Sequence, residues 1–401
     1  MVTGLNTADV AVVGGGPSGL MAAIALATAG LETVLIAPPA PNDNRTTALL
    51  ASSITALETL GVWHACRDNA APLRKLRIID DTGRLWRAPE ACFDVDEIHL
   101  DAFAYNIRNR HLIAALEAVA AERPNLRIIA SEAISIIPDE DAVSLRTADG
   151  NALSVKLVVG ADGRNSASRD AAGIETRVRH YPQFALTYTV SHSRPHDDIS
   201  TEFHTRAGPF TTVPLPGDQS SIVCVVDESD GGFLQTLSGD ALDRELERRM
   251  HSILGKVKTE PEHGYFPLTI ETASPIAANR IALIGEAAHR IPPIGAQGLN
   301  LGMRDAAAIA DIAAEHAGDP GNPAALQQYD NLRRADIVSR TLAVDVLNRS
   351  LLSGILPMQG LRGLGLHVLN TLAPLRRAVM REGVTPRTAQ PRLMRGELPH
   401  S

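Results

Sequence analysis

The stretch Asp9-Val10-Ala11-Val12-Val13-Gly14-Gly15-Gly16-Pro17-Ser18-Gly19-Leu20-Met21-Ala22-Ala23 decides the fold. Asp9 to Val13 reads as a short β-branched strand, the glycines as a turn, and Leu20 to Ala29 as an alanine-rich helix that Gly30 ends. Glu32 to Ile36 forms the next strand, so the unit is βαβ with G-x-G-x-x-G at its first turn. Gly14, Gly16 and Gly19, with Pro17 and Ser18 between them, supply what a dinucleotide needs: a tight turn, close approach of a pyrophosphate, and close helix–strand packing. An acid normally ends the second strand and takes the ribose hydroxyls, but this position is Ala37, followed by Pro38 and Pro39. Asp43, Asn44 or backbone groups are the substitutes. Arg45 keeps an NADP reading open, because an arginine there accepts a 2′-phosphate. The first motif alone does not choose between FAD and NADP.

Two later stretches bear on the same site. The apolar strand Leu153 to Val159 runs into Gly160-Ala161-Asp162-Gly163-Arg164-Asn165-Ser166, which by itself is an ordinary turn. Further on, Arg280 to Ile284 reads as a buried strand, Gly285-Glu286-Ala287-Ala288-His289-Arg290-Ile291-Pro292-Pro293-Ile294-Gly295-Ala296-Gln297-Gly298 as a loop, and Leu299 onward as an alanine-rich helix starting near Asn300. Such a loop brings backbone close to a ligand and aims a helix N-terminus, with its free N–H groups, at negative charge.

Between these motifs the pattern predicts a helix from about Thr47 to Leu60 and a hairpin of Leu73 to Asp80 with Arg84 to Ala88. It then predicts a helix Arg108 to Ala121, and strands Leu126 to Ala130 and Ala142 to Thr147. Gln183 to Val226 is strand-rich with polar turns, a separate, mostly antiparallel sheet, and Asp240 to Leu254 is helical. From Pro323 the chain is helical and leucine-rich. Its 401 residues suit more than one domain, and 44% hydrophobic with 21% charged residues is an ordinary soluble composition. Cys66, Cys92 and Cys224 lie far apart, which excludes a disulfide framework, a dithiol redox pair and a cysteine zinc site, and fits a reducing compartment. No cluster has metal-ligand spacing, and nothing points to nucleic acid. No basic residue precedes the first apolar run and no window is long enough to span a bilayer, so a cytoplasmic location is expected. The net charge of −8 is uneven: from residue 331 on, eleven arginines stand against four carboxylates, a net of +7, leaving −15 on the first 330. A basic tail of this kind points to an anionic partner, with the inner face of a membrane a natural one, touched peripherally.

Taken together, Gly14-x-Gly16-x-x-Gly19, Gly160-Ala161-Asp162-Gly163 and Gly285-Glu286-Ala287-Ala288-His289 through Gly298-Leu299-Asn300 resemble the FAD-dependent aromatic hydroxylases of the p-hydroxybenzoate hydroxylase type. The string Pro293 to Asp305 and the arginine-rich tail are similar to the UbiH-like ubiquinone-biosynthesis hydroxylases. The resemblance covers nearly the whole chain and is weakest from Tyr181 to Gly264, where such enzymes hold substrate. It implies an α/β (α+β overall) fold: a Rossmann-like FAD-binding domain in three pieces (1–72, 98–180 and 265–325), an inserted, mostly antiparallel substrate sheet (73–97 and 181–264), and a C-terminal helical region (326–401).

It also implies roles. Gly14, Gly16, Pro17, Ser18 and Gly19 approach the FAD pyrophosphate, and Arg45 the adenosine half. Arg108 or Asn109 lies by the flavin, and Asp162 with Gly163 belongs to a motif shared by FAD and the nicotinamide cofactor. The acid after Gly285, here Glu286 where the family usually has Asp, bonds the ribityl chain. Pro293, Gly295, Gln297, Gly298, Leu299 and Asn300 cover the ring, with Ala296 where the family usually has Gly. NAD(P)H reduces the flavin and O2, added at flavin C4a, delivers an electrophilic oxygen to a polyprenylated phenol of ubiquinone biosynthesis. His289 and Pro293 are the catalytic candidates, and other ubiquinone-biosynthesis proteins are candidate partners. Two alternatives stay open: a hydroxylase of a small soluble aromatic, and a non-catalytic flavin-binding component of a complex. A flavin halogenase is excluded, because Trp63 and Trp86 cannot form its W-x-W motif.

Overall fold

The computed structural model describes residues 6–39, 43–83, 87–293, 295–352, 371–384 and 390–399. Strand β1 (Asn6–Val13), helix α1 (Pro17–Thr28) and strand β2 (Thr33–Ile36) form the expected βαβ unit. β1 pairs in parallel with β2 on one side and with Ala152–Gly160 on the other, and the parallel array extends to Leu126–Ile129 and Ile281–Leu283. Strands buried on both faces read as continuous apolar runs, as in Val10 to Val13. The alanines of α1 let the helix Gln297–Glu315 lie against it. Contact is so close that a Cβ at Gly302 would sit 2.4 Å from Ser18 Oγ.

A second, nine-stranded sheet runs in the order His289–Arg290, Gly264–Ala273, Thr176–His192, Gln219–Asp227, Pro209–Leu215, Ile199–His204, Lys75–Asp80, Ala91–Asp94, with Val257–Thr259 added against Thr176–His192. It is antiparallel except where Ile199–His204 meets Lys75–Asp80. Leu186, Tyr188, Phe203, Phe210, Leu242 and Leu246 bury its outer face under two helices, Glu228–Thr236 and Gly239–Arg249. The fold is therefore mixed α/β, as expected.

Several elements differ from the sequence reading. Thr46 to Leu50 is not helix but strand β3, paired with Ala104–Arg108, and helix α2 (Ala51–Thr59) follows it. The stretch carries two threonines, and its partner lies more than fifty residues away, so a local 3.6-residue period could not register it. Lys75–Asp80 pairs with Ala91–Asp94, not with 84–88; the Asp80 carboxylate instead accepts from Thr82 and from the Ala88 N–H, and 84–86 lie outside the described residues. Ala133–Pro138 is a further strand, outside the elements expected from the sequence. The long helix begins at Gln297 rather than Leu299, and the helix after Asp240 stops at Arg249.

In the tail, helix Pro323–Leu352 packs on the main core through Ala325, Leu326, Tyr329 and Ile337. Most of the Leu351 to Leu375 stretch lies outside the described residues. Helix Ala373–Val384 buries Met380 beside Phe93 and Ile98, and Leu393 and Met394 return to the main core against α2 and the Gln297–Glu315 helix. Among the described residues no helix is long and apolar enough to cross a membrane, and no group of three or more metal-ligating side chains occurs.

Candidate active site

The three glycine motifs follow the C-terminal ends of three neighbouring parallel strands: β1, Ala152–Gly160 and Ile281–Leu283. Ligands of open α/β sheets bind at this edge. Two glycines of the first motif are required by the chain itself. Gly14 has φ +117°, and a Cβ there would lie 2.2 Å from Ala161 O; one at Gly19 would lie 2.0 Å from Gly14 O. Gly16 is different: its φ is an ordinary −70°, and a Cβ would meet no atom of the described residues within 4 Å. The N-terminus of α1, at Pro17 and Ser18, carries no side-chain cap. Open space beside an uncapped helix start suits a pyrophosphate, whose charge the free N–H groups and the dipole favour.

The second motif is a turn held by its own acid. Asp162 accepts from Ser166 Oγ (2.5 Å) and from the Ser168 N–H (2.9 Å), and Gly163 takes a left-handed φ of +78°. Arg169 donates to Arg164 O and Ala287 O, stitching this turn to the third loop, and Arg164 faces Glu286 at 3.5 Å.

The third loop is anchored from below by Asp305, which is fully buried. Its carboxylate accepts from the Gly285 N–H (3.1 Å), His289 Nε2 (2.6 Å) and Arg333 Nε (2.8 Å), and Tyr329 Oη donates to Leu283 O (2.9 Å). Burial alone would push the Asp305 carboxyl up; the facing His289 and Arg333 outweigh it and hold the group at about 2. His289 is 2% exposed, with Nδ1 unpartnered, and is not among the residues lining the main cavity.

The helix start beyond the loop is also uncapped. Gly295 has φ +67°, Ala296 sits at +53° without a side-chain cap, and Gln297 Nε2 donates to Gly295 O while its buried Oε1 has no partner among the described residues. Gly298 is open, and Leu299 packs on the core. Asn300 has its side chain occupied: it accepts from the Leu50 N–H and Ser53 Oγ and donates to Ala48 O and Ala296 O, tying this helix to β3 and α2. A left-handed alanine is strained by about 1–2 kcal/mol. Ala296→Gly is therefore expected to stabilise the protein by about 1 kcal/mol without loss of activity, after the extra unfolded-state entropy of glycine is subtracted; a urea titration that shows no gain counts against the strain.

On the opposite rim Arg45 donates from Nε and a terminal nitrogen to Asp43, which also accepts from Asn109 Nδ2 (2.9 Å); Asn109 Oδ1 in turn accepts from Thr47. Arg108 is held bidentate by Glu260 (2.6 and 2.9 Å) and lines a separate recess of about 450 Å³, which shares Asn44, Glu260 and Glu262 with the main cavity. A third recess, about 660 Å³, gathers Asp162, Arg164, Arg169 and Arg290. The main cavity, about 580 Å³, lies between the motif loops and the second sheet. Arg45, Arg164, Glu286 and Pro293 line one side, and Ala185, Thr187, Phe266 and Leu268 the other. Sequence reasoning included Gly302 and Asp305 in the family-like string without a role for either, and missed Arg333 and this sheet floor. The one legible signal was a carboxylate at Asp305 on the otherwise alanine-rich face of a buried helix.

The residues present fit FAD: a glycine with free space beside it, two uncapped helix starts and a buried, unpartnered Gln297 Oε1 stand at one sheet edge. The chain matches the FAD binding domain family over residues 7–343. It is 34% identical over 408 residues to the ubiquinone hydroxylase UbiL of Rhodospirillum rubrum, covering 98% of this chain and 93% of that protein. It is 30% identical over 386 residues to the 3-demethoxyubiquinol 3-hydroxylase of Escherichia coli, covering 93% and 97%. Among solved structures, p-nitrophenol 4-monooxygenase PnpA from Pseudomonas putida DLL-E4 shares the fold, with a TM-score of 0.78 over 96% of this chain and 100% of that one at 20% identity. The chain belongs to the FAD-binding aromatic monooxygenases, in the group of ubiquinone-biosynthesis hydroxylases.

Proposed function

We propose that this protein is an FAD-dependent monooxygenase that hydroxylates the ring of a polyprenylated phenol in ubiquinone biosynthesis, with O2 as oxygen source and NAD(P)H as reductant. The observation that carries the reading is the 580 Å³ cavity, which has Arg164 of the second motif with Glu286, Pro292 and Pro293 of the third loop on one wall and the second sheet on the other, next to the strand edge that also carries the first glycine turn. Bound FAD supplies oxygen activation, which no amino-acid side chain provides. The chain binds and orients it: Gly14, Gly16 and Gly19 with the start of α1 take the pyrophosphate, Arg45 the adenosine half, and Glu286 the ribityl chain. Free N–H groups at the uncapped start of the Gln297–Glu315 helix would stabilise negative charge on the bound flavin. Pro292 and Pro293 with Phe266 and Leu268 exclude water. His289 holds the loop through Asp305 and is not an acid or base. The FAD-binding part is 1–72, 98–180 and 265–325 and the substrate part 73–97 and 181–264, with strand Gly264–Ala273 carrying Phe266 and Leu268 across that boundary into the sheet that holds substrate. Deletion of the gene tests the reading: a prenylated precursor lacking one ring hydroxyl should accumulate, and an unchanged quinone profile contradicts it.

A peripheral contact with an anionic membrane is the second part of the reading. On helix Ala373–Val384 and the residue before it, Leu372, Leu375 and Val379 are exposed beside Arg377, whereas Arg376 is engaged by Glu97 at 2.7 Å. Arg377→Gln is expected to weaken sedimentation with anionic vesicles at low salt several-fold, since each basic residue near such a surface contributes about 1 kcal/mol. Unchanged sedimentation removes this contact.

A further inference from the structure

The floor of the main cavity carries hydrogen-bonding capacity that the protein does not use. Thr187 and Thr189 lie two residues apart on Thr176–His192, so both face the same side of the sheet. Thr187 stands opposite Val223 and Gly264, and Thr189 opposite Ser221. Ser221 Oγ accepts from Asn106 Nδ2 (3.1 Å), but among the described residues neither threonine hydroxyl has a hydrogen-bond partner. Thr189 is 7% exposed as a residue and borders the cavity, and neither hydroxyl is among the buried polar atoms, so both open to the cavity, where a ligand or water completes them.

An aromatic surface adjoins them. A Cβ at Gly264 would lie 2.4 Å from Phe266 Cε2 and 2.6 Å from Thr187 Oγ1. The Phe266 ring therefore folds back over the bare glycine and comes to rest beside the Thr187 hydroxyl. Two unused hydroxyls spaced by about 7 Å along a strand, next to a phenyl face, match a flat ring that carries oxygen substituents: the ring packs on Phe266 and each hydroxyl reaches one oxygen.

We propose that Thr187 and Thr189 are specificity-determining residues that hydrogen-bond the ring oxygens of the substrate, with its ring against Phe266. The assignment rests on the reading of this cavity as the place of ring hydroxylation. A site built to bond an oxygen rejects the analogue that lacks it, because its own polar groups are then left unpaired.

The test uses the FAD-loaded full-length enzyme with two probes, a phenol bearing one prenyl unit and a ring methoxyl, and its counterpart without the methoxyl. Thr187→Val and Thr189→Val preserve shape and remove the hydroxyl. The variant that loses the methoxyl contact is expected to raise KM for the methoxylated phenol about tenfold while that of the counterpart barely moves, so discrimination between the two collapses; the variant that loses the contact to the phenol oxygen raises KM for both about tenfold. FAD content and KM for NAD(P)H stay at the wild-type level, and Thr187→Ser and Thr189→Ser, which keep the hydroxyl, keep wild-type KM for both phenols. If the double valine variant hydroxylates with wild-type discrimination, the threonine assignment is overturned and the functional reading stands. If the wild-type enzyme holds FAD and hydroxylates neither phenol, both are overturned.

Discussion

Gly16→Val is expected to give a folded protein that retains no FAD. At most glycines of the first motif such a change would be ambiguous, since a Cβ at Gly14 or Gly19 collides with backbone at 2.2 or 2.0 Å and would damage the fold itself. Gly16 separates the two effects. Its φ of −70° is open to any residue, and no atom of the described residues lies within 4 Å of the added Cβ. Stability should therefore change by less than about 1 kcal/mol, as for other substitutions that touch nothing. The side chain would instead occupy the space in which a pyrophosphate approaches the start of α1. Thermal unfolding together with flavin absorbance after gel filtration in added FAD checks both halves. A variant that folds and carries a full complement of flavin would show that the motif has been misread.

Asp305→Ala has the second large expected effect, a loss of about 3–5 kcal/mol, because removing one partner of a buried ionic network leaves the others uncompensated. Three donors lose their acceptor at once: the Gly285 N–H, His289 Nε2 and Arg333 Nε. The damage falls on the loop that carries Glu286, so flavin affinity should fall with stability. The pH dependence has a definite sign. The native carboxyl titrates at about 2, below its ordinary 3.8, so its contribution is complete above that ordinary value and declines as pH falls toward about 2. Denaturant titrations of wild type and variant should therefore converge between about pH 4 and pH 2. A constant difference across that range would mean that Asp305 acts through packing alone.

The legible part of the site consists of residues whose identity is forced by local backbone geometry. Gly14 and Gly19 announce themselves because only glycine fits the turn, and the strand before them and the alanine-rich helix after them can be read within thirty residues. The Gly285 loop is legible for the same reason, with left-handed residues at Gly285, Gly295 and Ala296. What could not be read depends on partners far along the chain. Thr46 to Leu50 becomes a strand only by pairing with Ala104–Arg108. Gly302 and Gly264 look like unremarkable glycines until Ser18 and Phe266 are placed against them. Arg333 finds Asp305 across two helices, and Leu393 and Met394, near the end of the basic tail, are buried in the main core. The sheet floor is hardest of all, since the alternation that turns Thr187 and Thr189 toward the cavity is fixed by which face the two helices cover.

Ring hydroxylation at this cavity is tested most directly by turnover of the FAD-loaded protein with NAD(P)H and a short-chain prenylated phenol under isotopically heavy O2. The predicted result is one heavy oxygen in the ring of the product, formed in step with NAD(P)H oxidation and lost in Gly16→Val. NAD(P)H consumption that leaves the ring unlabelled, or a hydroxylated product without the heavy isotope, would contradict it.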